Sequence, residues 1–205
     1  MTPATRSMTM TESLDFYFDF ASPYGFLACR RVGDLASTVG RKVNWRPFLI
    51  GAVYKAHGGA PLAHPLKCDY VFKDVFRRAK IDGVERMQTP ANFPASSVPP
   101  SRLAYWVERE APEKMGAFVE AAYKAFWIDG RDTADPNAAL EAAESLGFDR
   151  DKAMAGAKCQ AVKDRLREVT ETALERGVFG SPFVLIDGDP FWGGDRFADI
   201  EALYG

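Results

Sequence analysis

The chain has 205 residues, 47% apolar and 26% charged, with a formal net charge of -2. That length supports one well-packed core, or one domain with a sizeable insertion. No basic run suggests nucleic acid, and no 18-residue apolar stretch suggests a membrane span. Three scattered cysteines (Cys29, Cys68, Cys159) and only two histidines (His57, His64) argue against a disulfide framework, a zinc site, or a hydrolase needing a histidine base.

Residues 1–13 (MTPATRSMTMTES) are polar and lack an apolar h-region, so they read as a disordered tail and not a signal peptide; the cytoplasm is then the default compartment. Leu14 to Phe20 alternates and is rich in aromatics, which predicts a strand. Pro23 to Val39 places Phe26, Leu27, Val32 and Leu35 at helical spacing before Gly40. Val43 to Leu49 predicts a second strand, pushed toward an edge or bulge by Pro47. Strand, helix and strand at this spacing form a βαβ unit with a parallel pair. The histidines lie in a Gly/Pro-rich stretch, HGGAPLAHP, and read as loop residues.

Helical spacing then dominates. Residues 65–79 align Cys68, Phe72, Val75, Phe76 and Ala79, and stretches 101–110 and 113–128 follow. Asp135-Pro136 is a cap followed by proline at the first helical position, opening a helix that Gly147 ends. Another helix spans Gln160 to Arg176 before Gly177. The stretch between Lys80 and Pro100 shows no period, and a loop that long usually serves function or is disordered. After Gly180-Ser181-Pro182 strands return: Phe183 to Ile186, an Asp187-Gly188 turn, and Pro190 to Trp192. Gly193-Gly194-Asp195-Arg196 leads into a last helix near Tyr204.

Strands at both ends and helices between predict an α/β protein with a thioredoxin-like fold and a large all-helical insertion. The expected organisation is a tail at 1–13, a thioredoxin-like domain at 14–60 and 171–205, and the inserted helices at 61–170. Four polar segments sit at predicted loop ends: Ser22-Pro23, Pro90-Ala91-Asn92-Phe93, Ser181-Pro182, and Trp192 through Asp195. Each has a structural reading as a cap or turn, and Ser181-Pro182 fits either an ordinary turn or a cis peptide. In this fold, however, the start of the first helix faces the loop after the insertion. Free N–H groups and a partial positive charge there favour a thiolate, and a serine hydroxyl adds a hydrogen bond that lowers a thiol's pKa.

The segments FDFASPYGFLA (18–28), RPFLIGAVYKAHGGAP (46–61), PANFP (90–94) and GVFGSPFVLIDGDPFWGGDR (177–196) resemble the 2-hydroxychromene-2-carboxylate isomerase family. That family is similar to kappa-class glutathione transferases and to DsbA-like disulfide oxidoreductases. The resemblance implies reduced glutathione as a cofactor, a small aromatic carboxylate as substrate, a role in aromatic compound catabolism, and a homodimer. It implies that Ser22 activates the glutathione thiol, and that Ser181, ahead of a cis Pro182, pairs its backbone with the cysteinyl unit. Trp192, Gly193, Gly194 and Asp195 would bind the rest of the tripeptide, with Asp195 facing its amino end. Lys55, Asn92 and Phe93 would lie on the substrate side. This chain departs from the pattern at Gly58-Gly59 (asparagine in many relatives), Phe93 (tyrosine in some) and Gly25 (a larger residue). Rival readings are a kappa-like transferase or peroxidase, and a binding protein without turnover. A disulfide oxidoreductase would need a cysteine where Ser22 stands, and Cys29 is two turns too far along.

Overall fold

The computed structural model describes residues 13–58 and 65–205; the N-terminal tail up to residue 12, Gly59 and His64 lie outside them. The first strand, β1, is Leu14–Phe18, followed by α1 (Pro23–Thr38) and β2 (Val43–Pro47). Two further strands, β3 (Phe183–Ile186) and β4 (Asp189–Trp192), complete a four-stranded sheet of order β2-β1-β3-β4. β1 and β2 are parallel, with Phe16 opposite Trp45; β3 pairs antiparallel with both β1 and β4. Asp187 and Gly188 both have positive φ, the two-residue turn that matches the twist of a hairpin. This is the expected thioredoxin-like α/β fold.

Both strands of the βαβ unit are shorter than their apolar runs. β1 stops at Phe18 because Asp19 turns the chain: its carboxylate accepts the Ala21 N–H (2.8 Å) and its carbonyl accepts the Ser22 N–H (2.8 Å). β2 stops at Pro47, which has no N–H for the ladder. The Leu49 N–H instead reaches Thr170 Oγ1 at 3.2 Å, and a new helix, α2 (Ile50–His57), begins. That helix is absent from the sequence reading, and it corrects His57 from a loop residue to a helical one.

The inserted helices are α3 (Pro65–Ile81), α4 (Val98–Glu110), α5 (Met115–Trp127), α6 (Pro136–Ser145), α7 (Arg150–Lys158) and α8 (Gln160–Glu175); α9 (Phe197–Tyr204) closes the chain. α4 starts three residues earlier than its periodicity indicates, because Pro99 and Pro100 occupy first-turn positions that need no N–H donor. α7 escapes periodicity because it buries only Ala153. α4 packs on α5, α6, α7 and α8, while α8 also touches β2 and α2. One hydrophobic cluster runs unbroken from Leu14 to Ile200, so sheet and insertion share a core; residue 170 lies within α8. Among the described residues no helix is long and apolar enough to cross a membrane.

Aromatic packing fixes the junction that matters most. Phe18 and Phe20 lie against Tyr123 of α5, at 5.8 and 5.0 Å between ring centroids. The Tyr123 hydroxyl donates to the Asp19 carbonyl (2.9 Å) and the Trp127 indole N–H to the Phe20 carbonyl (3.0 Å). Two backbone carbonyls of the β1–α1 turn, which no strand partner can reach, are thus paired from the insertion.

Candidate active site

Ser22 is the N-cap of α1, with extended backbone, and its Oγ accepts the Gly25 N–H at 3.0 Å. Pro23 at the first helical position has no N–H to satisfy. The Ser22 hydroxyl donates across to the Ser181 carbonyl at 2.8 Å. Ser181 Oγ in turn accepts the Asp19 N–H at 2.9 Å, and the Ser181–Pro182 peptide is cis. The first turn of α1 carries no acidic side chain, so nothing within it offsets the positive end of the helix dipole.

These residues line a cleft of about 1360 Å³. One end is built from the hairpin and the segment after it. Gly193, at φ 101°, donates its N–H to the Pro182 carbonyl at 3.0 Å. A Cβ on Gly180 would meet the Trp192 indole at 2.3 Å, so glycine is what lets that ring approach the backbone so closely. Trp192 stays 56% exposed beside Phe179, with ring centroids 5.0 Å apart. Gly194 packs on α1 at Ala28, and Asp195 at the rim pairs with Arg196 at 2.9 Å. Ser22, Ser181, Pro182, Trp192, Gly193, Gly194 and Asp195 therefore all meet in one cleft.

The opposite end is formed by α2, α3 and the loop before α4. Phe93 lines it, set edge-on to Phe72 (5.5 Å) and Trp127 (5.6 Å). Asn92 stands behind the wall: its side chain donates to Asp132 at 2.7 Å, and its backbone is left-handed at φ 57°. Lys55 is on the exposed side of α2 and outside the cleft lining, whereas the preceding Tyr54 lines it. One helical step turns a side chain by about 100°, which accounts for the difference. Gly25 is held small by its surroundings: a Cβ there would lie 2.5 Å from the Tyr123 hydroxyl and 3.0 Å from Ser181 Oγ.

Other polar groups of the cleft carry no sequence motif. Asp19 is 2% exposed, and its carboxylate accepts N–H bonds from Ala21 and Ile50, both 2.8 Å. Burial pushes its pKa up, opposed by the Ser97 hydroxyl and those two backbone donors. Its only signal in sequence is a lone acid breaking an apolar strand. Tyr24 donates to Asp74 of α3 at 2.7 Å; burial, then Asp74, holds its phenol above the ordinary range. Arg31 also reaches the cleft. No cysteine is among the described lining residues; Cys29 is buried within α1, and that burial raises its thiol pKa. Among the described residues, no group of three or more His, Cys, Asp or Glu is placed to hold a metal ion.

Comparison with known proteins agrees with this architecture. Residues 13–205 match the DSBA-like thioredoxin domain. The chain is 32% identical over 194 residues to a 2-hydroxychromene-2-carboxylate isomerase of Sphingobium xenophagum, covering 94% of this chain and 98% of the relative. It is 26% identical to glutathione S-transferase kappa 1 of Rattus norvegicus, covering 94% and 90%. A solved 2-hydroxychromene-2-carboxylate isomerase superposes with a TM-score of 0.83 at 29% identity, covering 94% of each chain. The chain belongs to the DSBA-like thioredoxin domain family and, within it, to the family of the 2-hydroxychromene-2-carboxylate isomerases.

Proposed function

We propose that this protein is a glutathione-dependent isomerase. It would interconvert 2-hydroxychromene-2-carboxylate, or a similar aromatic hemiketal, and trans-2-hydroxybenzylidenepyruvate. The observation that carries the reading is Ser22: a hydroxyl at the start of α1, in a cleft with no cysteine among its described residues, facing the Ser181 carbonyl at 2.8 Å.

The residues present fit glutathione. At about 1360 Å³ the cleft exceeds the roughly 300–1,000 Å³ of ordinary small-molecule sites, leaving room for a tripeptide beside an aromatic acid. Gly180 and Gly194 keep backbone close to the cleft wall, and Asp195 offers a carboxylate for an ammonium. When bound, glutathione supplies a thiolate that adds reversibly to a conjugated double bond, so that the bond can rotate before the thiolate leaves.

The protein's own part is to hold negative charge on sulfur and to orient the substrate. The Ser22 hydroxyl has one proton to give, and in this structure it goes to the Ser181 carbonyl. An amide donor arriving at that carbonyl releases the hydroxyl to turn toward sulfur, where it adds to the α1 dipole. Phe93 and Tyr54 offer aromatic surface for the substrate, and Asn92 holds the Phe93 loop through Asp132. Lys55, at the exposed side of α2, supplies positive charge outside the cleft for an approaching carboxylate. The proposal includes a cytoplasmic homodimer, read by light scattering and cell fractionation.

The experiment is turnover of 2-hydroxychromene-2-carboxylate with and without glutathione, with both followed quantitatively. Conversion that requires glutathione, leaves it intact and is lost in Ser22→Ala supports the isomerase. A second reading is a kappa-like transferase, suggested by the match to the rat kappa enzyme over 94% of this chain. Consumption of one glutathione per product formed would establish it instead.

A further inference from the structure

Four arginines among the described residues line the cleft, and three have carboxylate partners. Arg77 faces Asp74 (3.6 Å), Arg78 faces Asp82 (3.1 Å), and Arg196 faces Asp195 (2.9 Å) and Asp199 (3.1 Å). Arg31 differs. Its contacts are the Gly194 carbonyl, 3.4 Å from Nη1, and the Phe197 ring, whose centroid lies 5.4 Å from the guanidinium carbon. The side chain is half-buried, oriented by these two contacts, and without a carboxylate among the described residues. A guanidinium retains several donors after one carbonyl contact, and its planar fork suits a carboxylate.

The position narrows the choice of anion. Arg31 is nine residues after Ser22 on the same helix, about 13 Å along the axis, and helical side chains lean back toward the N-terminus. Its guanidinium touches the residue preceding Asp195, so a cation and an anion flank one short piece of backbone at the cleft wall. That pairing matches a free amino-acid head, which carries ammonium and carboxylate on one carbon. Glutathione has such a head at its γ-glutamyl end, about 9 Å from its sulfur when extended by ordinary bond lengths.

We propose that Arg31 binds the α-carboxylate of the γ-glutamyl unit, and that Arg31 and Asp195 together recognise the zwitterionic head of glutathione. This rests on the reading of the cleft as a glutathione site. Arg31 is a binding residue, and the sulfur chemistry at Ser22 does not depend on it directly.

The test is calorimetric titration of two peptides, reduced glutathione and 4-aminobutyryl-cysteinyl-glycine, which lacks only that carboxylate. Wild type is expected to bind glutathione about 10- to 100-fold more tightly than the analogue, the range for a hydrogen bond to a charged group. Arg31→Met should weaken glutathione by a similar factor and bind both peptides alike, while Arg31→Lys keeps part of the preference. Equal affinity of wild type for the two peptides overturns the proposal whether or not a variant folds. So does an Arg31→Met protein that still discriminates. If wild type binds neither peptide at millimolar concentration, the glutathione reading itself falls and this inference with it; binding without discrimination removes Arg31 alone.

Discussion

Gly25→Ala is the smallest change that tests how the cleft is built. In the first turn of a helix, alanine for glycine should help by at most about 1 kcal/mol. Here the added Cβ would lie 2.5 Å from the Tyr123 hydroxyl, 3.0 Å from Ser181 Oγ and 3.2 Å from the Ser22 Cβ. Tyr123 is fully buried, with Phe18, Phe20 and Phe26 around its ring at 5.0–5.9 Å, so it cannot retreat without moving the aromatic cluster. Overpacking of this kind costs about 1–3 kcal/mol. Losing the Tyr123 bond to the Asp19 carbonyl adds about 0.5–1.5 kcal/mol, since that carbonyl keeps the Ser22 N–H. The net expectation is a loss of about 1–4 kcal/mol, or roughly 2–16 °C in Tm for a chain of this size. Glutathione affinity should fall as well, because Ser181 and Ser22 are the displaced neighbours. The assay is urea denaturation of Gly25→Ala, Tyr123→Phe and the double variant. Tyr123→Phe removes the atom in closest conflict, so the double variant should be more stable than the two single losses combined. The reasoning is refuted if Gly25→Ala is as stable as wild type, or if the two changes are additive.

Asp19 gives a pH signature. Its folded pKa lies above the ordinary 3.8, so as pH rises from about 4 the unfolded chain loses this proton first and wild type loses stability relative to Asp19→Asn. Urea midpoints at pH 4 and pH 7 should therefore show wild type's advantage over the variant shrinking with pH; an advantage that grows would mean the backbone donors outweigh burial. Asp19→Ala should cost about 2–5 kcal/mol by leaving the Ala21 and Ile50 N–H groups without acceptors, measured by the same denaturation. The cysteines should separate by reactivity. The Val162 backbone N–H, helped by Arg109, lowers the Cys159 thiol, and burial raises that of Cys29. Iodoacetamide at neutral pH followed by peptide mapping should label Cys159 before Cys29, and equal labelling of the two would contradict both assignments.

Much of the fold was legible because its signals are local. The aromatic alternation of Leu14 to Phe18, the Asp187-Gly188 turn and the Asp135-Pro136 cap each determine their own neighbourhood, and together they order the elements. Ser22, Ser181 and the Trp192 to Asp195 segment stood out as caps and turns at loop ends, and the fold brings those ends together. What stayed hidden depends on packing between distant segments. α2 and α7 bury one residue each, Val53 and Ala153, so neither leaves a hydrophobic period. With α2 unread, nothing in the sequence separates Lys55 from Tyr54, although only Tyr54 lines the cleft. Arg31 and Asp74 look like ordinary charged positions on solvated helices; they reach the cleft because α1 and α3 pack across it. Asp19 is visible as an interruption, but its ties to Ile50 and Ser181 reach across 31 and 162 residues of sequence.

The central claim is that Ser22 and the start of α1 hold glutathione as a thiolate. Calorimetric titration of reduced glutathione into wild type and Ser22→Ala, in buffers of different ionisation enthalpy, counts the protons released on binding. The account predicts release of about one proton per site near neutral pH by wild type, with that release lost in Ser22→Ala. Binding with no proton release, or equal release from Ser22→Ala, would contradict it.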